Sequence, residues 1–407
     1  MATTEQRPKT KIKIAASDLP AGLTQARVQA HEISPKHVKG FTIEEVDPAK
    51  EQRIALKLPK HVFDTVPKAN LEAFGLAIHT ALKDSVTGYV LQVYNNGNLA
   101  HTGIWNWAQT PADAGLGWNE NRRQHIASVS KFITAVGMVK ALDSKGIAYD
   151  AKIAGYLPAY WAKGPNVDDI TFRDLFTHRS GFGGSSSESS YTFMKGKVAA
   201  GVAANPGYDY ENMNFGLCRL LIPIVTGMIS KSADFAIAKD QIWDVLTIQH
   251  YRNYMQQHVF TPAGVSNAGF APAAGGALGY PQPHNGKKGM NSGDLATMAG
   301  GAGWRLSVKE LLDVMSHFRR KNTIVTKAKA QTILDSGFGI DQILDTPAGK
   351  TYNKNGAWGN GNGREQAVAF FLPAGMEAVL FVNSPIGPDG ASLRGLVQDA
   401  YVGCLTA

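Results

Sequence analysis

Cysteine is nearly absent from this chain: Cys218 and Cys404 are the only two in 407 residues. A fold of this size stapled by disulfides carries more, so both read as buried free thiols, and neither has the Cys/His context of a catalytic thiol. The 11 histidines form no His-x-His or His-Glu-x-x-His cluster, so no metal site is expected. No apolar run reaches membrane-spanning length. Met1 to Ala16 holds Arg7, Lys9, Lys11 and Lys13 but no continuous apolar stretch, so no secretory signal is legible; cytoplasmic residence and export with the signal removed both stay open. Charged residues make up only 18%, and the formal charge of +8 is dispersed apart from the first sixty residues and Arg319-Arg320-Lys321. That pattern describes solvated basic faces and gives no nucleic-acid surface. The glycine run Gly359 to Gly363 lacks the strand-turn-helix setting of a dinucleotide site, and no cofactor is expected.

What is present is a large apolar complement, 44% of residues, enough for one catalytic unit with two lobes. Within it three short polar motifs stand in a fixed order. Ser128-Val129-Ser130-Lys131 opens the apolar stretch Phe132 to Leu142, which has helical length and stops at Gly146. Residues three apart on a helix share a face, so the Ser128 hydroxyl and the Lys131 amine become neighbours. A serine hydroxyl needs a base to become a nucleophile, and burial disfavours the ammonium form of a lysine, so Lys131 in an apolar helix suits that task. Tyr210-Glu211-Asn212 follows the turn signal Asn205-Pro206-Gly207 and precedes the apolar run Phe215 to Ile222. A tyrosine hydroxyl there can relay a proton to a leaving group, and the Asn212 amide can bond both a lysine and a substrate carbonyl. Lys354-Asn355-Gly356-Ala357 leads into a glycine-rich hairpin, with strand-like runs from Gln366 to Leu372 and Ala378 to Val382. An edge strand there can offer the Ala357 N–H to pair with that of Ser128 as an oxyanion hole, while Lys354 holds a substrate carboxylate or helps keep Lys131 neutral.

Ser-x-x-Lys, Tyr-x-Asn and Lys-x-Gly in this order resemble the serine β-lactamase and penicillin-binding-protein superfamily. The stretches His125 to Phe132, Asp174 to Gly181, Tyr210 to Phe215 and Gly301 to Ser307 are similar to signatures of its class C branch, which spans class C β-lactamases, D-alanyl-D-alanine carboxypeptidases and β-lactamase-like carboxylesterases. The resemblance implies an α+β fold: an antiparallel sheet flanked by helices, plus an all-helical lobe, with the nucleophile at the seam. On that basis residues 66–407 form the catalytic domain, with a sheet lobe at about 66–127 and 307–407 and a helical lobe at about 128–306. Residues 1–65 form an extension of unknown role, a candidate oligomerisation element.

The resemblance also implies a serine hydrolase with Ser128, Lys131 and Tyr210 catalytic and Asn212, Lys354, Asn355, Gly356 and Trp358 binding or supporting substrate. Expected partners are small-molecule esters, amides or β-lactams. Asn355 stands where the superfamily has a small hydroxyl residue, Trp358 is placed to wall the acyl pocket, and the Gly359 to Gln366 hairpin reads as longer than usual. Asn355 weakens the case for a β-lactamase, and Trp358 and the hairpin lean toward an ester substrate. The alternatives are a D-alanyl-D-alanine carboxypeptidase or β-lactamase and, from another class, a non-catalytic scaffold or penicillin sensor.

Local patterns fit this layout. Leu71, Phe74, Ile78 and Leu82 recur at helical spacing, and Tyr89 to Tyr94 and Leu99 to Trp105 form a hairpin through Asn95-Asn96-Gly97. Ile242 to Val259 and Leu393 to Leu405 read as helices. Gly183 to Ser190 reads as a flexible loop bordering the substrate mouth, a candidate lid.

Overall fold

The computed structural model describes residues 65–184, 188–235, 238–386 and 392–406. The N-terminal extension, apart from Thr65, and residues 185–187 of the candidate lid lie outside the described residues.

Helix α1 (Leu71–Leu82) starts where the Asn70 side chain accepts the Ala73 N–H, and it buries Phe74, Ile78 and Leu82 along one face. Strands β1 (Gly88–Asn95) and β2 (Asn98–Gln109) form the hairpin expected from Asn96-Gly97, both of which adopt positive φ. Strand β3 (Leu116–Gly117) pairs with the end of β2. A 3-10 turn, Ala127–Val129, feeds helix α2 (Ser130–Ser144), which is buried without a break from Ser130 to Val139. A helix apolar all round belongs at the centre of a fold. Four helices follow: α3 (Phe172–Phe176), α4 (Tyr191–Ala200), α5 (Asn212–Val225) and α6 (Lys239–Met255). The expected helix at Ile242 to Val259 is thus α6, continued by a π turn at Gln256–Phe260. Helix α7 (Val308–Arg319) opens on a capping box between Ser307 and Glu310, and α8 (Lys327–Asp335) follows. Strands β4 (Gln342–Thr346), β5 (Gly349–Asn360), β6 (Gly363–Leu372) and β7 (Met376–Val382) complete the sheet before helix α9 (Leu393–Gly403).

The seven strands lie in the order β3-β2-β1-β7-β6-β5-β4, all neighbours antiparallel. Period-two alternation divides β6 between two cores. Val368, Phe370 and Leu372 pack with α1 and α9, whereas Ala367, Ala369 and Phe371 join the larger core around α2, α5 and α7. Because both faces are covered, Ala367 to Leu372 of β6 and Ala378 to Val382 of β7 read as continuous apolar runs.

In the hairpin from Gly359 to Gln366, Asn360 pairs with Gly363, so only Gly361 and Asn362 turn. Cys218 and Cys404 are buried free thiols, and burial pushes both up, that of Cys404 to about 11.

Candidate active site

The nucleophile motif begins on a strained turn. Ala127 takes φ +46°, a conformation an L-residue adopts only when its surroundings impose it. Those surroundings are visible. Ile126 N–H donates to the Trp304 carbonyl at 3.1 Å, and the Gln124 side-chain amide donates to the Gln366 carbonyl at 2.8 Å. Ser128 lies in the 3-10 turn rather than in α2 itself. Lys131 lies one turn on, in the first turn of α2, with its Nζ 2.9 Å from Ser128 Oγ.

Lys131 is fully buried, and Ser128 keeps only 5% of its surface exposed. The lysine Nζ also lies 2.5 Å from Asn212 Oδ1 and 3.0 Å from the Gly301 carbonyl. Those two oxygens accept only, whereas the serine hydroxyl can donate. The amine donates to Asn212 and Gly301, and its third bond, to Ser128 Oγ, is the contact along which a proton can pass between serine and lysine. Asn212 is placed by being the first residue of α5, and Gly301 passes close enough that a side chain there would meet the Asn212 carbonyl at 3.0 Å.

Tyr210 precedes α5, and its ring lies near two amines, with Lys131 Nζ 4.7 Å and Lys354 Nζ 5.2 Å from its centroid. Lys354 Nζ donates to the Tyr210 hydroxyl at 3.2 Å. His178, which motif reading passed over, stacks on the other side of the Tyr210 ring, centroids 4.3 Å apart and planes 27° apart. Its Nδ1 accepts the Glu211 N–H at 3.0 Å, which fixes the stretch carrying Tyr210. Burial, then the electrostatic push of Lys131 and Lys354, holds this imidazole well below the usual histidine value, so it is neutral.

Strand β5 supplies the opposite wall. Lys354, Gly356 and Trp358 share the face that meets α2, as their cross-strand partners Ala369, Ala367 and Glu365 indicate. At Gly356 the strand presses onto the nucleophile turn: a Cβ would sit 2.5 Å from the Ile126 carbonyl and 2.8 Å from Ser128 N. Only glycine allows that approach. Strand β4 pairs with β5 no further than Asn353, so from Lys354 onward no described strand covers this side of β5. Asn355 N–H points to that side, donating to Asp341 at 2.9 Å. Alternation sends the Ala357 N–H the same way, onto an open edge close to Ser128 N.

Two expected substrate contacts are placed differently. Pleating turns the Asn355 side chain toward the α9 face, so what this residue brings to the Lys354 side is main chain: its carbonyl accepts from Lys354 at 2.9 Å. Trp358 is fully buried with Ala127, Met298 and Ala302 and meets His125 edge-on. It backs the nucleophile turn and is wholly buried.

No motif pointed to Asp341, which takes a Lys354 Nζ contact of 2.8 Å and an Arg394 Nη1 contact of 3.2 Å. Burial alone pushes this carboxyl up, but the two cations and the Asn355 N–H together hold it below the usual carboxylate range. A lone aspartate ahead of a short strand leaves no sequence signal for such a role. His178, by contrast, lies in a stretch already singled out.

A serine and lysine buried at the junction of a central helix and an antiparallel sheet, faced by a tyrosine and a second lysine, belong to the class of the serine β-lactamase and penicillin-binding-protein superfamily. The family model described as Beta-lactamase matches residues 76–401, and the chain belongs to that family. A Bacillus subtilis protein named as a penicillin-binding protein, PbpX, is 24% identical over 151 residues, 36% of this chain and 32% of the relative, so the match spans about a third of that protein's length. Among solved structures, the β-lactamase/D-alanine carboxypeptidase of Pseudomonas syringae is similar at TM-score 0.62 and 13% identity, over 82% of this chain and 97% of that one. The D-amino acid amidase of Ochrobactrum anthropi is similar at TM-score 0.61 and 16% identity, over 81% and 98%. The octameric penicillin-binding protein homologue of Pyrococcus abyssi also gives TM-score 0.61 and 16% identity, over 81% and 75%. Among the described residues, no helix is long and apolar enough to cross a membrane.

Proposed function

We propose that this protein is a serine hydrolase that cleaves carboxylic esters or small amides through an acyl-Ser128 intermediate. The observation that carries the reading is the Lys131 amine, fully buried, with two acceptor-only oxygens and the Ser128 hydroxyl as its neighbours. In acylation the Ser128 proton passes to Lys131 Nζ as the Oγ–acyl carbon bond forms. The N–H groups of Ser128 and Ala357 receive the charge that develops on the carbonyl oxygen. The bond to the leaving group then breaks, and Tyr210 relays the proton that the departing oxygen or nitrogen needs. Water attacks the acyl-enzyme in the reverse sense and frees Ser128. Asn212 orients Lys131, and Lys354 positions the Tyr210 hydroxyl.

The relatives' names include an amidase, a carboxypeptidase and penicillin-binding proteins, which supports hydrolysis of an acyl bond and leaves the acyl acceptor to the site. Initial rates of p-nitrophenyl butyrate hydrolysis by wild type and Ser128→Ala, purified side by side, test the reading. The expected result is turnover in the first and none in the second, with a butyryl adduct on the wild-type chain in intact mass spectra. Equal turnover by Ser128→Ala sinks the mechanism.

A further inference from the structure

Two hydrogen-bond donors and a guanidinium converge on one carboxylate beside the catalytic groups. Lys354 Nζ lies 2.8 Å from Asp341 Oδ1, and Oδ2 accepts the Asn355 main-chain N–H at 2.9 Å with Arg394 Nη1 at 3.2 Å. An ammonium and an edge-strand N–H that hydrogen-bond it, with a guanidinium paired electrostatically, are the groups that receive a carboxylate. Here the chain's own carboxylate fills this receptor. The Asp341 side chain is only 8% exposed, so little water screens it.

The position of this receptor relative to the chemistry is set by β5 and Tyr210. Lys354 touches both Asp341 and the Tyr210 hydroxyl, so Asp341 lies on the side where the proposed mechanism releases its leaving group. Along β5 the Asn355 N–H is two residues from the Ala357 N–H, about 7 Å at strand rise. A leaving group with a carboxylate a few bonds from the scissile atom would therefore place that charge against Asp341.

We propose that Asp341 is a specificity-determining residue: by occupying the site's own carboxylate receptor it restricts the enzyme to uncharged leaving groups and excludes those bearing a carboxylate. This rests on the hydrolase reading above and names its substrate class. It sets the enzyme apart from peptidase chemistry on a carboxyl-terminal residue, where the leaving group is an amino acid.

The test uses two esters with one acyl group, phenyl butyrate and 3-carboxyphenyl butyrate, with wild type, Asp341→Asn and Asp341→Ala. Rates are normalised to each ester's alkaline hydrolysis. Wild type is expected to favour the uncharged ester by about ten-fold or more in kcat/KM, the scale of one like-charge contact. Both variants are expected to cut that preference about ten-fold, mainly through the KM of the carboxylated ester. Equal wild-type use of both esters, or an unchanged ratio in folded variants, overturns the proposal. If neither variant folds, wild-type inhibition decides: 3-hydroxybenzamide is expected to bind more tightly than 3-hydroxybenzoate, and the opposite order overturns the proposal. Absence of Ser128-dependent turnover of phenyl butyrate is a separate result, which removes the hydrolase reading and this inference with it.

Discussion

At the scale of single residues, the site depends on keeping one amine dry. Three uncharged oxygens lie 2.5 to 3.0 Å from Lys131 Nζ, and none of the three holds an ammonium as strongly as a carboxylate would. Lys131→Met should lower kcat about 10²- to 10⁴-fold, the usual worth of a general base. Lys131→Arg should not restore it, because a guanidinium stays protonated and cannot take the serine proton. Single-turnover acylation with p-nitrophenyl butyrate reads both variants, and an active Lys131→Arg would refute the proton-acceptor role. Tyr210→Phe keeps the ring between His178 and the lysines but removes the hydroxyl. Its loss, about 10²-fold, should grow as the leaving group becomes more basic, since a better leaving group needs less proton assistance.

At the scale of elements, β5 does three tasks within four residues: it carries Lys354, offers an open-edge N–H at Ala357, and at Gly356 lies flat on the Ser128 turn. Gly356→Ala would push strand and turn apart. The expected result is about a 10²-fold fall in kcat/KM with a modest change in thermal midpoint, since misplacing reacting groups by about 1 Å costs that much. A crystal structure of the variant would show the separation directly. The same element shows how far the sequence could be read. Lys354, Gly356 and the hairpin were legible because motif order and strand composition are local. The burial of Trp358 and the turning of Asn355 toward α9 were not, because both follow from the register of β5 on β6, which a single strand's sequence does not contain. Helix α2 was legible as a buried helix, but the 3-10 turn beneath Ser128 follows from distant partners, Trp304 and Gln366. Asp341 was invisible because its partners at 354 and 394 meet it only after folding.

At the scale of the whole molecule, buried neutral histidines set the response to acid. His125 and His178 are almost wholly buried, and burial holds each well below the usual histidine value. As pH falls through about 6.5 the unfolded chain binds protons that the folded chain refuses, so stability falls. Between about pH 7.5 and 6 each should cost roughly 0.8 kcal/mol, which urea midpoints at the two values would show. His178→Gln should remove one such share from the difference, and an unchanged difference would mean that this imidazole is not kept neutral. Glu365 and Glu377, pushed up by burial, act in the opposite sense at lower pH, so the effect is best measured above pH 6.

The partners of Lys131 include residues 128, 212 and 301, and the strand that closes over them ends at Asn360, while β1 waits for β7 to complete the sheet. A chain growing on the ribosome therefore carries its serine and lysine for most of synthesis as an ordinary hydroxyl and a hydrated, protonated amine. The dry enclosure that turns the pair into a reagent closes only after the last strands have emerged. On the proposed hydrolase reading, half-made molecules carry no competent serine.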